Sequence, residues 1–196
     1  MKYGLECEFF VVSEAGGAPL GGLPSSLTPD ECGFLAEARG QAYYSIREAV
    51  FSLKADIYRL GEEAKKLGLK LIQVPLLKVP QTELLKSRRM FSKGLLSYQN
   101  MYGYEEHKIS GKKTAGIHIS FTNPVQVHCG ENKYETHNSM FDFIQIIRKL
   151  DIAFKEEIKQ ARRNPGFYEL KSDGRIEYRS LPNNVDFHKI IDVLSA

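Results

Sequence analysis

Two hydrophobic periods alternate along this chain. Around Gly4 to Phe10 the period is two: Tyr3, Leu5, Cys7 and Phe9 fall on one face, and Gly4, Glu6, Glu8 and Phe10 on the other. That alternation predicts a β-strand. Ser13 to Pro29 is rich in Gly, Pro and Ser and predicts a long, mobile surface loop. Glu31 to Gly40 predicts a second short strand, with Phe34, Ala36 and Ala38 on one face and Leu35, Glu37 and Arg39 on the other. From Tyr43 to Leu67 the period changes. Ile46, Val50, Leu53, Ile57, Leu60, Ala64 and Leu67 recur at steps of three and four, which predicts an amphipathic helix of about seven turns. Gly68 is placed to end it as the C′ residue, and Leu69 to Pro75 predicts a short strand.

Leu76 to Thr114 has no clean period. It interleaves Lys78, Lys86, Arg88, Arg89, Lys93, Lys108, Lys112 and Lys113 with Phe91, Tyr98, Tyr102 and Tyr104. Two readings stay open: a solvated helix-loop insertion, or a surface that stacks a base and tracks phosphates, with Gln99, Asn100 and Tyr102 as the residues to follow. Thr114 to Asn123 alternates again, with Ile117, Ile119 and Phe121 facing one way and Gly116, His118 and Ser120 the other. Pro124 closes that strand, and Val125 to His137 reads as a hairpin or loop. Asn138 is the expected N-cap of a second long helix, with Asp142 in its first turn. Its apolar stripe is Met140, Phe141, Ile144, Ile147, Leu150, Phe154 and Ile158; Arg148, Lys149, Lys155, Glu156 and Lys159 form its solvated side, and it ends in Ala161 to Asn164 before Pro165 and Gly166. Gly166 to Leu170 and Arg175 to Leu181 predict a hairpin turning at Ser172-Asp173-Gly174, followed by a short helix from Asp186 to Leu194.

These elements make an α+β domain, expected to be one unit over residues 1–196, whose two long helices cover one face of a mainly antiparallel sheet. At 196 residues and 42% hydrophobic, the chain is long enough to bury a sizeable core. A net charge of +3 is too small to signal a nucleic-acid partner. Cys7, Cys32 and Cys129 show no CxxC or Cys/His ligand spacing and read as thiols of a reducing cytoplasm. Met1-Lys2-Tyr3-Gly4 begins no apolar signal region, and no run approaches a membrane span.

The chemistry lies on the second face of the strands. Glu6 and Glu8 would stand roughly 7 Å apart on one side of the first strand. At an effective dielectric near 20, two carboxylates at that distance repel by about 2 kcal/mol. The other strands add Glu37, His118 with Ser120, and Glu177 with Arg179 to the same face. Uncompensated, each buried charge would cost several kcal/mol, so such a face needs cations. Oxygen-rich ligation with one His suits Mg²⁺ or Mn²⁺ rather than Zn²⁺, and arginines beside such ions suit a phosphoryl group. The terminal pair Arg162-Arg163 either complements the helix dipole or reaches toward an anion.

Three stretches, Gly4-Leu5-Glu6-Cys7-Glu8-Phe9-Phe10, Ala115-Gly116-Ile117-His118-Ile119-Ser120-Phe121 and Gly174-Arg175-Ile176-Glu177-Tyr178-Arg179-Ser180-Leu181, resemble the motifs of the glutamine synthetase-like carboxylate–amine ligases. The closest group is the short amidoligases (COOH–NH2 ligase type 2) of phages and some bacteria. Asp30 to Arg39 and Arg163-Asn164-Pro165-Gly166-Phe167-Tyr168 are similar to that group's second acidic strand and its approach to the last hairpin. The resemblance implies a curved antiparallel sheet like that of the glutamine synthetase catalytic domain, ATP, and two or more divalent ions, Mg²⁺ or Mn²⁺. It implies phosphorylation of a small-molecule or peptide carboxylate to an acyl phosphate, which an amine substrate then displaces to leave an amide. Carried over by position, Glu6, His118 and Glu177 would hold the ion that bridges the nucleotide's phosphates. Glu8 and Glu37 would hold a second ion, and Arg179 with Arg163 or Arg162 would bind the transferring phosphoryl group; Arg39 is a further addition.

Many relatives carry a second His where this chain has Ser120, so one ligand or phosphate contact differs. Glutamine synthetase builds its sites between subunits, which leaves a homo-oligomer open. A phage origin would put the protein in the host cytoplasm. Two alternatives stand beside the ligase: a phosphotransferase of the same architecture acting on a guanidine or an acid, and a non-catalytic binding or scaffold protein that retains the fold.

Overall fold

In the computed structural model, residues 1–30, 33–88, 99–105, 112–122, 137–171 and 174–196 are described. The period-two segment at the start becomes the long strand β1, Lys2–Ser13. It pairs with three others: β2 (Ala36–Arg39), β3 (Leu69–Ile72) and β7 (Gly116–Thr122). Beyond β7 come β9 (Ile176–Pro182), β8 (Phe167–Leu170) and β5 (Gln99–Asn100), so the sheet runs β2-β1-β7-β9-β8-β5. Every pairing is antiparallel. A separate ribbon pairs β4 (Leu76–Lys78) with β6 (Lys112–Thr114).

Helices α1 (Ile46–Lys66), α3 (His137–Ala153), α4 (Lys155–Gln160) and α5 (Phe187–Ser195) complete the α+β fold, with α2 (Gln81–Arg88) between β4 and β5. The face of β1 that carries Leu5, Cys7 and Phe9 joins Ile117, Ile119, Phe121, Tyr178 and Leu181 of neighbouring strands in one core. Into it α1 sends Ile46, Val50, Leu53 and Leu60, α3 sends Ile147 and Leu150, and α4 sends Ile158. Each fully buried large apolar side chain is worth roughly 1.5–3 kcal/mol, and that burial clamps one face of the sheet to the helices. The acids of β1 are thereby turned to the opposite face. No described helix is long and apolar enough to cross a membrane.

Several elements differ from expectation, each for a local reason. The second strand is only four residues long, and Phe34 does not share the packing of Ala36 and Ala38. Asp30 accepts hydrogen bonds from the backbone N–H groups of Phe34 and Leu35, and Gly33 has a positive φ of 66°. This bend swings Phe34 against Phe10, with ring centroids 6.1 Å apart, in a second small cluster with Leu35, Val79 and Ala115. The loop after β1 does not lie wholly on the surface, because Leu23 and Leu27 are buried in the main core. The first long helix starts at Ile46 rather than Tyr43, whose backbone instead pairs with that of Tyr3. Its expected end is kept: Gly68 has φ 66° just after it.

The second long helix is two helices. Phe154 leaves helical geometry at φ −108°, ψ 21°, although Phe154 N–H still reaches Leu150 and Ile158 N–H still reaches Phe154. Asn138 lies inside α3, which begins at His137, and so is not its N-cap. The stretch 76–114, read as one insertion, supplies α2 and three short strands to the fold. The side chains of Met140 and Phe141, and the expected roles of Arg89, Phe91, Lys93, Tyr98, Lys108, the 125–136 loop and the Ser172-Asp173 turn, lie outside the described residues.

Candidate functional site

Antiparallel register decides which acids meet. Glu6 of β1 stands opposite both Arg39 of β2 and His118 of β7, while Glu8 stands opposite Glu37. Ser120 is opposite Gly4 on one side and Glu177 on the other, and Glu177 is opposite Glu169 of β8. The pairing of β7 with β9 shifts between Ile117 and Ile119, so that Ile119 faces Tyr178 but Ile117 faces Leu181. Strict alternation from Tyr178 would place Leu181 on the acidic face; this bulge returns it to the core and leaves Glu177 and Arg179 on the acidic side.

His118 is the hub. Its Nδ1 lies 3.7 Å from Glu6 Oε2 and 3.7 Å from Glu177 Oε1, and its Nε2 lies 3.7 Å from Glu8 Oε1. At those distances none is a hydrogen bond. The ring is 2% exposed, and Nδ1 is a buried polar atom with no hydrogen-bond partner among the described residues. Glu6, Glu37 and His118 each bring one ligand-capable atom within 4.8 Å of the others. This grouping joins Glu37, rather than Glu177, to Glu6 and His118, whereas the family-like assignment paired Glu37 with Glu8. The histidine nonetheless touches the carboxylates of Glu6, Glu8 and Glu177 alike.

Cationic side chains compensate the acids. Arg39 donates to Glu37 at 2.5 Å and approaches Glu6 at 3.9 Å. Arg179 donates to Glu177 and, at 3.3 Å, to Glu169. Lys171 lies 2.8 Å from Glu169 and 3.4 Å from Glu177. The Arg163 guanidinium donates to the backbone carbonyl of Arg179 at 2.5 Å and lies close against Gly116, where a Cβ would sit 2.9 Å from it. Gly116 also donates its N–H to Glu8 at 2.7 Å. Glu6, at 25% side-chain exposure, and the half-exposed Arg39 mark where the cluster opens to solvent.

Burial dominates the electrostatics. It pushes the Glu8 carboxyl up to about 7, with Arg179 opposing and Glu37 adding to the rise. Burial, and then the charge of Glu6, also raises Glu37. Burial, helped by the Arg179 charge, lowers His118 to about 3, so its imidazole is neutral at pH 7. Glu177 is held below the usual carboxylate range: burial pushes it up, but neighbouring positive charge outweighs that. With His118 neutral, Arg179 and Lys171 supply that attraction at neutral pH. A neutral imidazole whose buried nitrogen is aimed among carboxylates could hold a divalent cation, and an oxygen-rich donor set of that kind suits Mg²⁺ or Mn²⁺. The orphaned Nδ1 is the observation that makes the fit: a cation there would satisfy it.

Not every expected residue arrives. Arg162 is exposed and takes a left-handed φ of 55°. Its N–H bonds Lys159 and that of Arg163 bonds Ile158, a Schellman close to α4 with Arg162 at C′. That geometry turns Arg163 to the cluster, and Arg162 makes no hydrogen bond or ion pair to it among the described residues. Ser120 donates to Glu177 at 3.3 Å, which places it as a support of that carboxylate. Asn100 and Tyr102, followed as base-stacking candidates, make structural contacts: Asn100 donates to the Pro165 carbonyl at 2.8 Å, and Tyr102 donates its hydroxyl to Asp151 at 3.0 Å.

Three residues escape the sequence reading. Glu169 of β8 and Lys171, one residue past its end, join the cluster, and the alternation of that arm about Tyr168 carried the signal. Asp151 is buried in α3 and accepts from Tyr178 Oη at 2.6 Å and Gly166 N–H at 3.1 Å as well as from Tyr102. It ties the helix to the core side of the strand whose other face presents Glu177 and Arg179. Its signal was an acid three residues before Phe154 and one after Leu150, at the edge of an apolar stripe. No protein-family model, curated protein or solved structure matches this chain.

Proposed function

We propose that the acidic face of the sheet is a divalent-cation centre that grips ATP, in an enzyme that joins a carboxylate to an amine. The observation that carries the cation reading is His118 Nδ1, buried without a hydrogen bond among the described residues and flanked by Glu6 and Glu177 at 3.7 Å. Glu6, Glu37 and His118 would hold one ion, with Glu177 and Glu8 adjoining. When bound, a dication there neutralises triphosphate charge and orients the terminal phosphoryl group. Arg163 and Arg179, adjacent to one another through the Arg179 carbonyl, would bind phosphoryl oxygens, a task that planar guanidinium groups suit. Lys171 and Ser120 keep Glu177 in position.

The ligase chemistry rests on the resemblance of the three motifs. In it, a carboxylate oxygen attacks the γ-phosphorus and ADP leaves. The amine nitrogen then attacks the acyl carbon, inorganic phosphate departs, and the nitrogen loses a proton to solvent. The test is ATP turnover with Mg²⁺ and a panel of amino acids and dicarboxylates, with hydroxylamine as the amine. Formation of a hydroxamate together with ADP and phosphate supports the ligase. A stable phosphorylated acceptor would replace it with a phosphotransferase, and absence of cation-dependent ATP binding would reduce the protein to a scaffold.

A further inference from the structure

The solvent side of α1 carries a stripe that the fold does not use. Its buried side is complete, with Ile46, Ala49, Val50, Leu53, Leu60 and Ala64 in the core. At 3.6 residues per turn, Arg47, Phe51, Lys54, Ala55, Tyr58 and Glu62 fall within roughly a 100° arc on the other side. All six are exposed, Phe51 at 75% and Tyr58 at 72%. Lone exposed apolar residues are ordinary. Two large aromatics one heptad apart, in line and flanked by charges, make a surface that a second helix can cover.

We propose that this stripe is a homodimer face, with α1 of one protomer packed antiparallel on α1 of its partner and the two-fold axis between Lys54 and Ala55. A two-fold contact must be self-complementary. This axis sets Phe51 against the partner's Tyr58, Lys54 against the partner's Ala55, and Arg47 against the partner's Glu62, so both ends close with opposite charges. Moving the axis half a residue, onto Ala55, would part Phe51 from the partner's Tyr58 and set Glu48 against the partner's Glu62. The aromatic pair, with Arg47 and Glu62 closing both ends, selects the register. The two lysines nearest the axis do not crowd it, because Lys54 Nζ is drawn aside to 5.7 Å from the Phe187 ring centre. Arg47 and Glu62 are about 22 Å apart along the helix. One helix pair of that length buries well under the roughly 1,600 Å² of a standard stable interface, so the proposed dimer is a weak, reversible one. The contact is on the helix side of the sheet, opposite the Glu6–His118 cluster, and does not depend on the chemistry proposed there.

Sedimentation velocity of the full chain from a few to several hundred micromolar tests the proposal. The sedimentation coefficient rises with concentration to that of a dimer, and Phe51→Glu holds it at the monomer value. Arg47→Glu and Glu62→Arg each weaken association about tenfold or more, since each places two like-charge pairs in the contact. The double variant Arg47→Glu/Glu62→Arg restores it, because the exchanged charges meet again. A wild type that stays monomeric throughout would overturn the proposal. So would a dimer indifferent to Phe51→Glu, or a double variant no better than the single ones.

Discussion

Replacing Glu8 with Gln removes a charge that the metal-free protein holds at a cost. Glu8 is 8% exposed, and burial lifts its carboxyl from 4.5 to about 7. A carboxyl whose pKa is higher folded than unfolded binds its proton more tightly in the folded state. Its favourable contribution is therefore present below pH 4.5 and is lost as pH rises through 7. One pKa unit is 1.36 kcal/mol, so the full loss is about 3 kcal/mol, of which about 2.5 kcal/mol falls between pH 5 and pH 8. Gln keeps a carbonyl oxygen to accept the Gly116 N–H and carries no charge. Urea denaturation in chelator, with wild type and Glu8→Gln measured side by side at several pH values, isolates this group. Other titrations, such as His118, whose lowered pKa costs stability as pH falls below 6.5, are common to both proteins to first order. The variant gains on wild type by about 2.5 kcal/mol from pH 5 to pH 8. A difference that stays flat with pH would refute the claim that burial raises the Glu8 carboxyl.

Gly116→Ala is expected to destabilise the protein by about 1–3 kcal/mol and to weaken Mg·ATP binding, since a Cβ there would sit 2.9 Å from both the Arg163 guanidinium and the Leu181 carbonyl; thermal unfolding and calorimetric titration report the two effects. Arg162→Gly is expected to raise stability by about 1 kcal/mol by relieving a left-handed residue, without changing nucleotide affinity. Arg163→Gln, in the same titration, is expected to lower that affinity. Asp151→Ala is expected to cost about 3 kcal/mol in urea denaturation, because it leaves the Tyr178 hydroxyl and Gly166 N–H without their acceptor.

The face that carries the acids was legible because period-two alternation is a strong constraint. Once Leu5, Cys7 and Phe9 face helices, Glu6 and Glu8 must face away, and the same logic places His118 and Glu177. Which acids would touch was not legible, because strand order and register depend on contacts distant in sequence. Glu37 meets Glu6 and His118 only because β2 and β7 flank β1 on either side. Arg162 and Arg163 are indistinguishable as a sequence pair; the left-handed close of α4 separates them. The break at Phe154 hides within an unbroken apolar stripe, since Phe154 is fully buried and its i→i−4 bonds persist across it. Asp151 reads as a polar residue on the margin of a helix until the tyrosines that bind it arrive from two other segments.

The most direct test is pulsed electron paramagnetic resonance of the full chain loaded with Mn²⁺. If the cluster is a cation centre, the bound ion shows coupling to a single imidazole nitrogen. His118→Ala abolishes that coupling, and Glu6→Gln with Glu37→Gln abolishes binding. Mn²⁺ that stays fully hydrated in solution, or that binds with no nitrogen coupling, would contradict the account.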